Sequence, residues 1–398
     1  MGRLDQGGDH AEAGAREHRA SRDEPEVPVV EGHREGRRLD PEPGQRQTSS
    51  LDHGCPVDTH SAGSSTIMAA VVSTVSVRAP LRIALGGGGT DLVSHFSEHG
   101  GFVVSAAIDR HVRMRISPSP GTRYHLKHLE FEQQENPALI RHPILRAAIA
   151  RHGNGHPFTM VSDGDVEPGT GLGSSGAYTV CAVKAIELAA GREIDNHALA
   201  EAACTIEIED VERTVGKQDQ YAAAYGGLNS LSFAPNGTVE VKRLSIPDRV
   251  REALASSFVL VYTGQSRSAS KILAGQVRRA LAGDSDLTRN LLRTADVARD
   301  TCRILETGDL DAIGALMNES WALKRERLAN VAMPRIEELR EIALANGARG
   351  VMLMGAGGGG YLLAHAPEPE AVLRALAGVG ARELSFSLDD EGCVGRAG

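Results

Sequence analysis

Short runs of β-branched and apolar residues open the patterned part of the chain, and longer apolar stretches follow them. The runs "VVSTVSV", "LRIAL", "FVVSAAI" and "VRMRI", between positions 71 and 116, are bounded by Gly, Pro or Asp, which is typical of strands. Residues 175–190 form an apolar stretch of helix formers ended by Gly191, and Asp195 is suited to cap a second helix running to about Arg213. The pattern therefore predicts several strands followed by two consecutive helices.

The second half of the chain repeats this mixture of elements. The segments "GGLNSLSF", "VEVKRL" and "SFVLVYTG" are predicted strands, and residues from about 268 to 345 are mostly helical by period and composition. "ARGVMLMGAGGGGYLLAHAP" reads as a strand, a glycine turn and a strand. Strands and helices that interleave without a strict repeat indicate an α+β protein of two domains. We expect a boundary near residue 250, with domains at 71–250 and 251–398.

The first 70 residues differ from the rest, because they contain no Phe, Tyr or Trp and are dense in Arg, Glu, Asp, Gly and Pro. Such a segment cannot bury enough apolar surface to offset its chain entropy, so we expect disorder. Met68 opens the first patterned sequence, which raises the hypothesis that the natural chain starts there and that residues 1–67 are not native.

Composition narrows the class of protein. The chain has 398 residues, is 41% hydrophobic and carries a net charge of -9, which argues against a general nucleic-acid binder. Its five cysteines include no C-x-x-C pair, and no apolar run is long enough for a membrane helix or a signal peptide core. We expect a cytoplasmic protein with reduced thiols and no membrane or nucleic-acid partner.

One glycine-rich segment, "PGTGLGSSGAYTV" at 168–180, leads into the first predicted helix. Its G-x-G-x-x-G spacing also occurs in dinucleotide-binding folds, but those need a buried strand with an acidic end about 20 residues later, where this chain is helical. A Walker A loop is excluded because Gly-Lys-Ser/Thr does not follow. Bare backbone before a helix that starts at about Ser174 is suited to hold phosphate, with Ser174 and Ser175 near a phosphate-bound Mg²⁺. A helix start with no ligand is the remaining alternative.

Three segments in order carry a family resemblance. "RAPLRIALGGGGTDL" (78–92), "PGTGLGSSGA" (168–177) and "LMGAGGGGYLL" (353–363), with "GKQDQYAAAYGG" (216–227) between the last two, resemble the motifs of the GHMP small-molecule kinases. The first and fourth look most like the branch that contains D-glycero-D-manno-heptose 7-phosphate kinase. The resemblance implies an N-terminal domain like the second domain of ribosomal protein S5, a ferredoxin-like C-terminal domain, and ATP and acceptor between them.

The resemblance also implies roles for individual residues. Asp219 matches the aspartate that acts as general base or orients the acceptor hydroxyl, and Arg82 matches the arginine that keeps this carboxylate ionised. Mg²⁺ would be held by Ser175 and Glu207, although a solvated acidic helix face is the alternative for Glu207. The ATP phosphates would lie on Gly169, Gly171, Leu172, Gly173, Ser174, Ser175 and Gly176, with Gly357 and Gly358 packed against them.

On the acceptor side, Asp91 and its neighbour Thr90 match the sugar-binding part of the galactokinase motif. Gly88 and Gly89 stand where galactokinase has Glu and His, which argues against galactose bound in that mode. Basic residues that could bind an acceptor phosphate are Lys217, Arg267 and Lys271. The implied activity is an ATP-dependent sugar kinase acting on the 1-OH of heptose 7-phosphate to give the 1,7-bisphosphate. A fucose- or galactose-type acceptor is the alternative, and a homodimer is one option for the oligomeric state.

Parts of the sequence also match two other functions. "HFSEH" at 95–99 matches the H-x-x-E-H pattern of some zinc metalloproteases, but little helix is available there and no third ligand is identified. A decarboxylase of the mevalonate diphosphate type or a non-catalytic binder is a further option inside the superfamily. The sugar-type strings around Asp91 and Asp219 favour the kinase.

Overall fold

The structure is a computed structural model that describes residues 73–266, 269–328, 331 and 333–398. The extension predicted over residues 1–70, the start at Met68 and the acceptor contact of Arg267 lie outside the described residues. The strands are β1 (Val75–Gly86), β2 (Gly101–Pro118), β3 (Tyr124–Lys127), β4 (Phe131–Gln134), β5 (Phe158–Gly164), β6 (Leu228–Phe233), β7 (Val239–Arg243), β8 (Phe258–Tyr262), β9 (Gly350–Leu353), β10 (Tyr361–His365), β11 (Arg382–Glu383) and β12 (Val394–Ala397).

The helices are α1 (Val93–His99), α2 (Pro143–His152), α3 (Ser174–Ala189), α4 (Asn196–Thr205), α5 (Gln218–Tyr225), α6 (Asp248–Ser256), α7 (Ala269–Leu281), α8 (Ser285–Thr307), α9 (Leu310–Arg327), α10 (Pro334–Ala345) and α11 (Pro369–Gly378). A π-helical turn, Ile206–Asp210, continues α4, and a 3-10 turn, Pro137–Leu139, precedes α2. Within the described ranges, none of the helices has the length and apolar character needed to cross a membrane.

The first sheet is organised around two long strands, β1 and β2. They pair antiparallel with each other, and the far side of β2 pairs with β6 near its start and with β5 near its end. The sheet is extended by β3 and β4 beyond β5, by β7 beyond β6, and by β12 beside β1. Helices α3 and α8 both pack against β1 and β2, so β1 is buried along most of its length.

The second sheet has the order β11-β8-β10-β9 with all neighbours antiparallel. Numbered along the chain, this is the 4-1-3-2 order of a ferredoxin-like sheet. Helices α9 and α10 pack against β9, and α11 packs against β8 and β11. The predicted α+β class and the ferredoxin-like second half are confirmed. The boundary near residue 250 stays a prediction, and the final strand β12 belongs to the first sheet.

Two details of the predicted elements were wrong. The pattern predicts separate strands for "VVSTVSV" and "LRIAL", but Val75 onward is one strand, because a register shift between Pro80 and Leu81 accommodates the proline without ending the pairing. "FVVSAAI" and "VRMRI" likewise form the single strand β2. The Asp195 cap is confirmed, since its side chain accepts the Ala198 N–H at 2.9 Å, but α4 ends at Thr205 and not near Arg213.

Candidate active site

A cavity of about 990 Å³ opens between the glycine motifs. All three contribute to its lining, which includes Gly88, Gly89 and Asp91, most of the segment 168–175, and Gly355 to Gly357 with Gly359. Segments 270 residues apart in sequence therefore meet at one site.

The predicted phosphate loop ends where α3 begins, at Ser174, as expected from the sequence. Gly169, Gly171 and Gly173 have φ values of 78°, 89° and 77°, a left-handed conformation that glycine adopts without steric cost. Leu172 is fully buried, and its C=O accepts the backbone N–H of Arg82 at 3.0 Å. This bond anchors the loop to β1, while the glycines around Leu172 face the cavity.

The second glycine loop, between β9 and β10, packs directly on the first. The Tyr361 N–H donates to the Thr170 C=O at 3.1 Å, and a Cβ on Gly360 would lie 2.0 Å from the same oxygen. A Cβ on Gly355 would lie 2.6 Å from Gly171 Cα. These positions accept only glycine because the two backbones touch. Gly357 lines the cavity, whereas Gly358 does not.

Arg82 and Asp219 form an ion pair at the cavity wall. Arg82 Nε and Nη2 donate to Asp219 Oδ1 at 2.8 and 2.6 Å, and Nη1 donates to the Gly171 C=O at 2.6 Å. The arginine side chain is 4% exposed and the aspartate side chain 28%. Asp219 lies in the first turn of α5, where the helix dipole favours a negative charge. Within the described residues Asp219 Oδ2 has no hydrogen-bond partner, which leaves it open to the cavity.

The phosphate loop lies so close to the Arg82–Asp219 pair that two of its positions have little room for a Cβ. A Cβ at position 176 would lie 2.6 Å from Asp219 Cβ, and a Cβ at Gly173 would lie 3.2 Å from Arg82 Cγ. Glycine at these two positions lets the start of α3 come into contact with both charged side chains.

Asp91 is buried beside Asp219 and is held by backbone donors. Its Oδ1 accepts the Gly89 N–H at 2.9 Å and its Oδ2 accepts the Gln218 N–H at 3.2 Å. Burial raises the pKa of Asp91, and the nearby charge of Asp219 raises that pKa further. A Cβ on Gly216 would lie 1.9 Å from Asp91 Oδ2, so glycine is needed where the "GKQDQ" segment passes this carboxylate.

The two predicted metal ligands are in contact with each other. Ser175 Oγ donates to Glu207 Oε2 at 2.6 Å, and Gln220 Nε2 donates to Glu207 Oε1 at 2.9 Å. Arg213 Nη1 contacts Ser175 Oγ and donates to Glu207 Oε2 at 2.9 Å. Burial raises the pKa of Glu207, which the hydrogen bond from Ser175 and the charge of Arg213 oppose.

A hydroxyl and a carboxylate are suitable ligands for Mg²⁺, which keeps several waters and few protein ligands. Both oxygens face the guanidinium of Arg213, so a cation already lies at this position. The two oxygens are of the type that holds magnesium, and such an ion would have to displace the Arg213 side chain from them.

Some predicted contacts are not brought to the cavity. The Thr90 hydroxyl is fully buried, donating to the Gly87 C=O at 2.8 Å and accepting the Phe102 N–H at 3.1 Å. Lys217 Nζ is held by both carboxylate oxygens of Glu201 at 2.9 Å. Neither residue lines the cavity, nor does Lys271. These polar groups are satisfied by neighbours in the fold, and the substrate contacts of Thr90 and Lys217 stay predictions.

The "HFSEH" segment lies in α1, where His95 is buried and its ring centroid lies 5.2 Å from that of His99. In the described part of the chain, no three His, Cys, Asp or Glu side chains are grouped to hold a metal ion. Among the described residues, no third ligand therefore lies near His95 and His99 to complete a zinc site.

Three cations at the site were missed in the sequence. Arg213 lies next to the predicted metal ligands, and Lys324 and Arg327, both from α9, line the cavity. Arg327 Nη2 donates to the Gly88 C=O at 3.3 Å across 239 positions of sequence. In the sequence, "LKRER" looks like an ordinary solvated helix end, and nothing local links it to the first glycine motif.

Comparison with known proteins adds an independent line of evidence. The family model for the GHMP kinases N terminal domain matches residues 139–227, and the model for the GHMP kinases C terminal domain matches residues 301–382. The chain is 27% identical over 309 residues to the D-glycero-alpha-D-manno-heptose 7-phosphate kinase of Campylobacter jejuni, covering 73% of this chain and 89% of that protein.

Two further relatives agree with this. A galactokinase of Mycobacterium tuberculosis is 28% identical over 254 residues, covering 56% of this chain and 69% of that protein. The crystal structure of a D-glycero-D-manno-heptose 1-phosphate kinase from Bacteroides thetaiotaomicron superposes with a TM-score of 0.67 at 25% identity, covering 81% of this chain and 98% of that one. The predicted two-domain fold is confirmed, and the chain carries the N-terminal and C-terminal domains of the GHMP kinases.

Proposed function

We propose that this kinase transfers the γ-phosphoryl group of ATP to a sugar hydroxyl, and that its acceptor is D-glycero-D-manno-heptose 7-phosphate, phosphorylated at the 1-OH. The observation that carries the proposal is the Arg82–Asp219 ion pair, which lies against the phosphate loop and beside the buried Asp91. One cavity thus joins a loop suited to a triphosphate, a carboxylate suited to a hydroxyl, and an acidic group suited to a sugar.

ATP binding is supported by the paired glycine loops. The segment from Gly169 to Ser175 offers backbone N–H groups and the N-terminus of the 16-residue helix α3, both of which favour phosphate. The loop from Gly355 to Gly360 packs on it from the second sheet. A triphosphate on these loops would direct its terminal phosphorus toward Asp219.

The chemical step follows from the open oxygen of Asp219. The acceptor hydroxyl donates to Oδ2 while its oxygen attacks the γ-phosphorus; the new O–P bond forms, the bond to the β-phosphate oxygen breaks, and ADP leaves. The hydroxyl proton passes to Asp219 as the new bond forms, and then to solvent. Arg82 orients the carboxylate through Oδ1 and stabilises charge near the reacting oxygens.

Magnesium held by Ser175 and Glu207 would neutralise charge on the triphosphate. The contribution of the chain is to hold these two oxygens together, and Arg213 would have to leave them when the ion binds.

A galactose- or fucose-type acceptor is the second candidate, favoured by the galactokinase relative. The heptose reading is supported by the two heptose kinases among the relatives. It is also supported by Gly88 and Gly89, which leave the acceptor side without bulky side chains where galactokinase has Glu and His.

The proposal is tested by incubating the protein with Mg·ATP and heptose 7-phosphate, fucose, galactose or mannose, followed by phosphorus NMR of the products. We expect ADP and a heptose bisphosphate whose new phosphorus resonance couples to the anomeric proton. Phosphorylation of galactose or fucose in preference to the heptose would favour the second candidate. If none of these sugars supports ATP turnover, the proposal of a sugar acceptor is contradicted.

A further inference from the structure

A second, smaller cavity of about 40 Å³ adjoins the main one. Its lining includes Arg82, Lys324 and Arg327, together with the backbone of Gly86, Gly87 and Gly88. Three cations and bare glycine backbone therefore surround a space that opens beside the reacting groups.

The cations from α9 are held by neutral groups. Lys324 Nζ donates to the C=O groups of Leu353 and Gly355 at 2.6 and 2.9 Å. Arg327 Nη1 donates to Asn290 Oδ1 and Thr294 Oγ1, each at 2.7 Å. Among the described residues neither cation has a carboxylate within salt-bridge distance, whereas Arg82 is paired with Asp219.

Burial lowers the pKa of Lys324 to about 7, helped by the charges of Arg327 and Arg82, and burial lowers the pKa of Arg327 to about 10. Cations removed from water without an acidic partner cost free energy. An anion bound between them would recover it. The Asn290 and Thr294 contacts fix the Arg327 fork before any ligand arrives, as a preorganised binding group requires.

The position of the small cavity separates it from the phosphate loop. Residues 168–176 contribute nothing to its lining, whereas Gly88 and Gln218 do. Gly88 precedes the buried Asp91, and the Gln218 N–H donates to that carboxylate at 3.2 Å. The cations thus lie beside the acceptor-side residues Gly88 and Gln218, and they also border Met354 and Gly355 of the second glycine loop.

We propose that Lys324 and Arg327 form the subsite that binds the phosphate group carried by the acceptor. This rests on the proposed sugar kinase activity. The acceptor phosphate would then be bound by Lys324 and Arg327, whereas the sequence predicts Lys217 and Arg267 for this contact.

The test uses the full chain and one pair of ligands that differ only in the phosphate, D-glycero-D-manno-heptose with and without its 7-phosphate. Isothermal titration without ATP measures binding to the wild type, to Arg327→Gln and to Lys324→Gln. Arg289→Gln is the control, because Arg289 is an exposed cation of α8 that pairs with Asp286 at 3.1 Å. Steady-state KM values for ATP and for the acceptor complete the set.

We expect the wild type and the Arg289→Gln control to bind the phosphorylated heptose more tightly than the free one. Each variant at the subsite loses roughly 10- to 100-fold of that affinity, the range of charge-assisted hydrogen bonds, and keeps the KM for ATP. Because Arg327→Gln also loses structural contacts, an unchanged KM for ATP serves as its folding control.

Equal affinity of the wild type for both heptoses would overturn the subsite. So would a rise in the KM for ATP equal to the loss of acceptor affinity, since the cations would then serve the ATP phosphates. If the phosphate-dependent binding is lost in the variants but no sugar is phosphorylated by the wild type, the subsite stands and the proposed kinase reaction fails.

Discussion

Asp91 is a buried carboxylate held by two backbone N–H groups, with no salt bridge to any cation in the described ranges. Its pKa lies above the ordinary value because of burial and the charge of Asp219. When folding raises the pKa of a carboxyl group, the free energy of unfolding of the protein falls as pH rises through the window between the group's unfolded and folded pKa values. The negative charge of Asp91 at neutral pH therefore destabilises the folded protein, and a role in binding the acceptor would explain why this residue is present.

Asp91→Asn removes this charge and keeps an oxygen that can accept one of the backbone N–H groups. We expect a melting temperature at neutral pH that is equal to or above that of the wild type, and a higher KM for the acceptor. Thermal unfolding and steady-state kinetics check both values, with Glu98→Gln as an exposed control that loses one acidic charge. A melting temperature clearly lower than the wild type, with the acceptor KM unchanged, would mean that Asp91 is structural only.

Lys324 gives the site a dependence on pH. Its pKa is lowered to about 7 by burial and by Arg327 and Arg82, so in the free enzyme it loses its charge as pH rises through about 7. We expect the KM for a phosphorylated acceptor to rise between pH 6.5 and 8.5, a window that spans roughly one unit around this value. The Lys324→Gln enzyme should show a flatter profile over the same range. An identical profile in both enzymes would assign the titration to another group.

At this scale the sequence was informative where a motif is local. The placing of Arg82 against Asp219, Asp91 beside them and Ser175 on Glu207 agrees with the predicted grouping, although their roles stay proposals. Lys324 and Arg327 could not be predicted, because their relation to Gly88 depends on how α9 packs across the fold. The intramolecular partners of Thr90 and Lys217 could not be predicted either, since a sequence does not reveal that a polar group is already satisfied by the fold.

The π-helical turn after α4 is the element that places Glu207 at the proposed metal site. It turns Glu207 inward, where the side chain is almost fully buried, and the chain then passes through Glu212, whose φ of 53° is the one positive value at a non-glycine residue in the described ranges. Such a conformation is strained for a residue with a side chain. It directs Arg213 back to Ser175 and Glu207. The sequence predicted a regular helix here, because helix propensity does not distinguish a π turn.

Arg213 and magnesium should compete for the same two oxygens. Arg213→Met removes the resident cation, so we expect a lower Mg²⁺ concentration for half-maximal rate and tighter Mn²⁺ binding by electron paramagnetic resonance. Ser175→Ala and Glu207→Gln remove ligands and should shift both values in the opposite direction. An unchanged metal requirement in all three variants would exclude these residues from the metal site.

At the scale of the whole molecule, the two sheets meet through their glycine loops. Gly171 and Gly360 allow the phosphate loop and the loop after β9 to touch backbone to backbone. The sequence predicted this contact through the family resemblance. Its geometry requires glycine, since any Cβ at these positions would overlap the opposite chain.

Gly171→Ala tests the contact, with Gly191→Ala as a matched control. Both glycines have positive φ values, 89° and 71°, but a Cβ at Gly171 would lie 2.8 Å from the Met354 C=O oxygen, whereas a Cβ at Gly191 meets nothing within 4 Å. Each change costs roughly 1–2 kcal/mol for the left-handed conformation. We expect only Gly171→Ala to lose additional stability and to raise the KM for ATP. Equal effects of the two changes would mean that the contact between the loops is unimportant.

The most direct test of the account is the single-turnover rate of Asp219→Asn, measured by rapid quench with saturating ATP and acceptor. The change keeps the size of the side chain and an oxygen for Arg82 but removes its charge and basicity. We expect a rate about 10²- to 10⁴-fold below the wild type, the usual range for a positioned general base, with nucleotide affinity close to normal. A variant that keeps more than about a tenth of the wild-type rate, well above that range, would contradict the role of Asp219 in phosphoryl transfer.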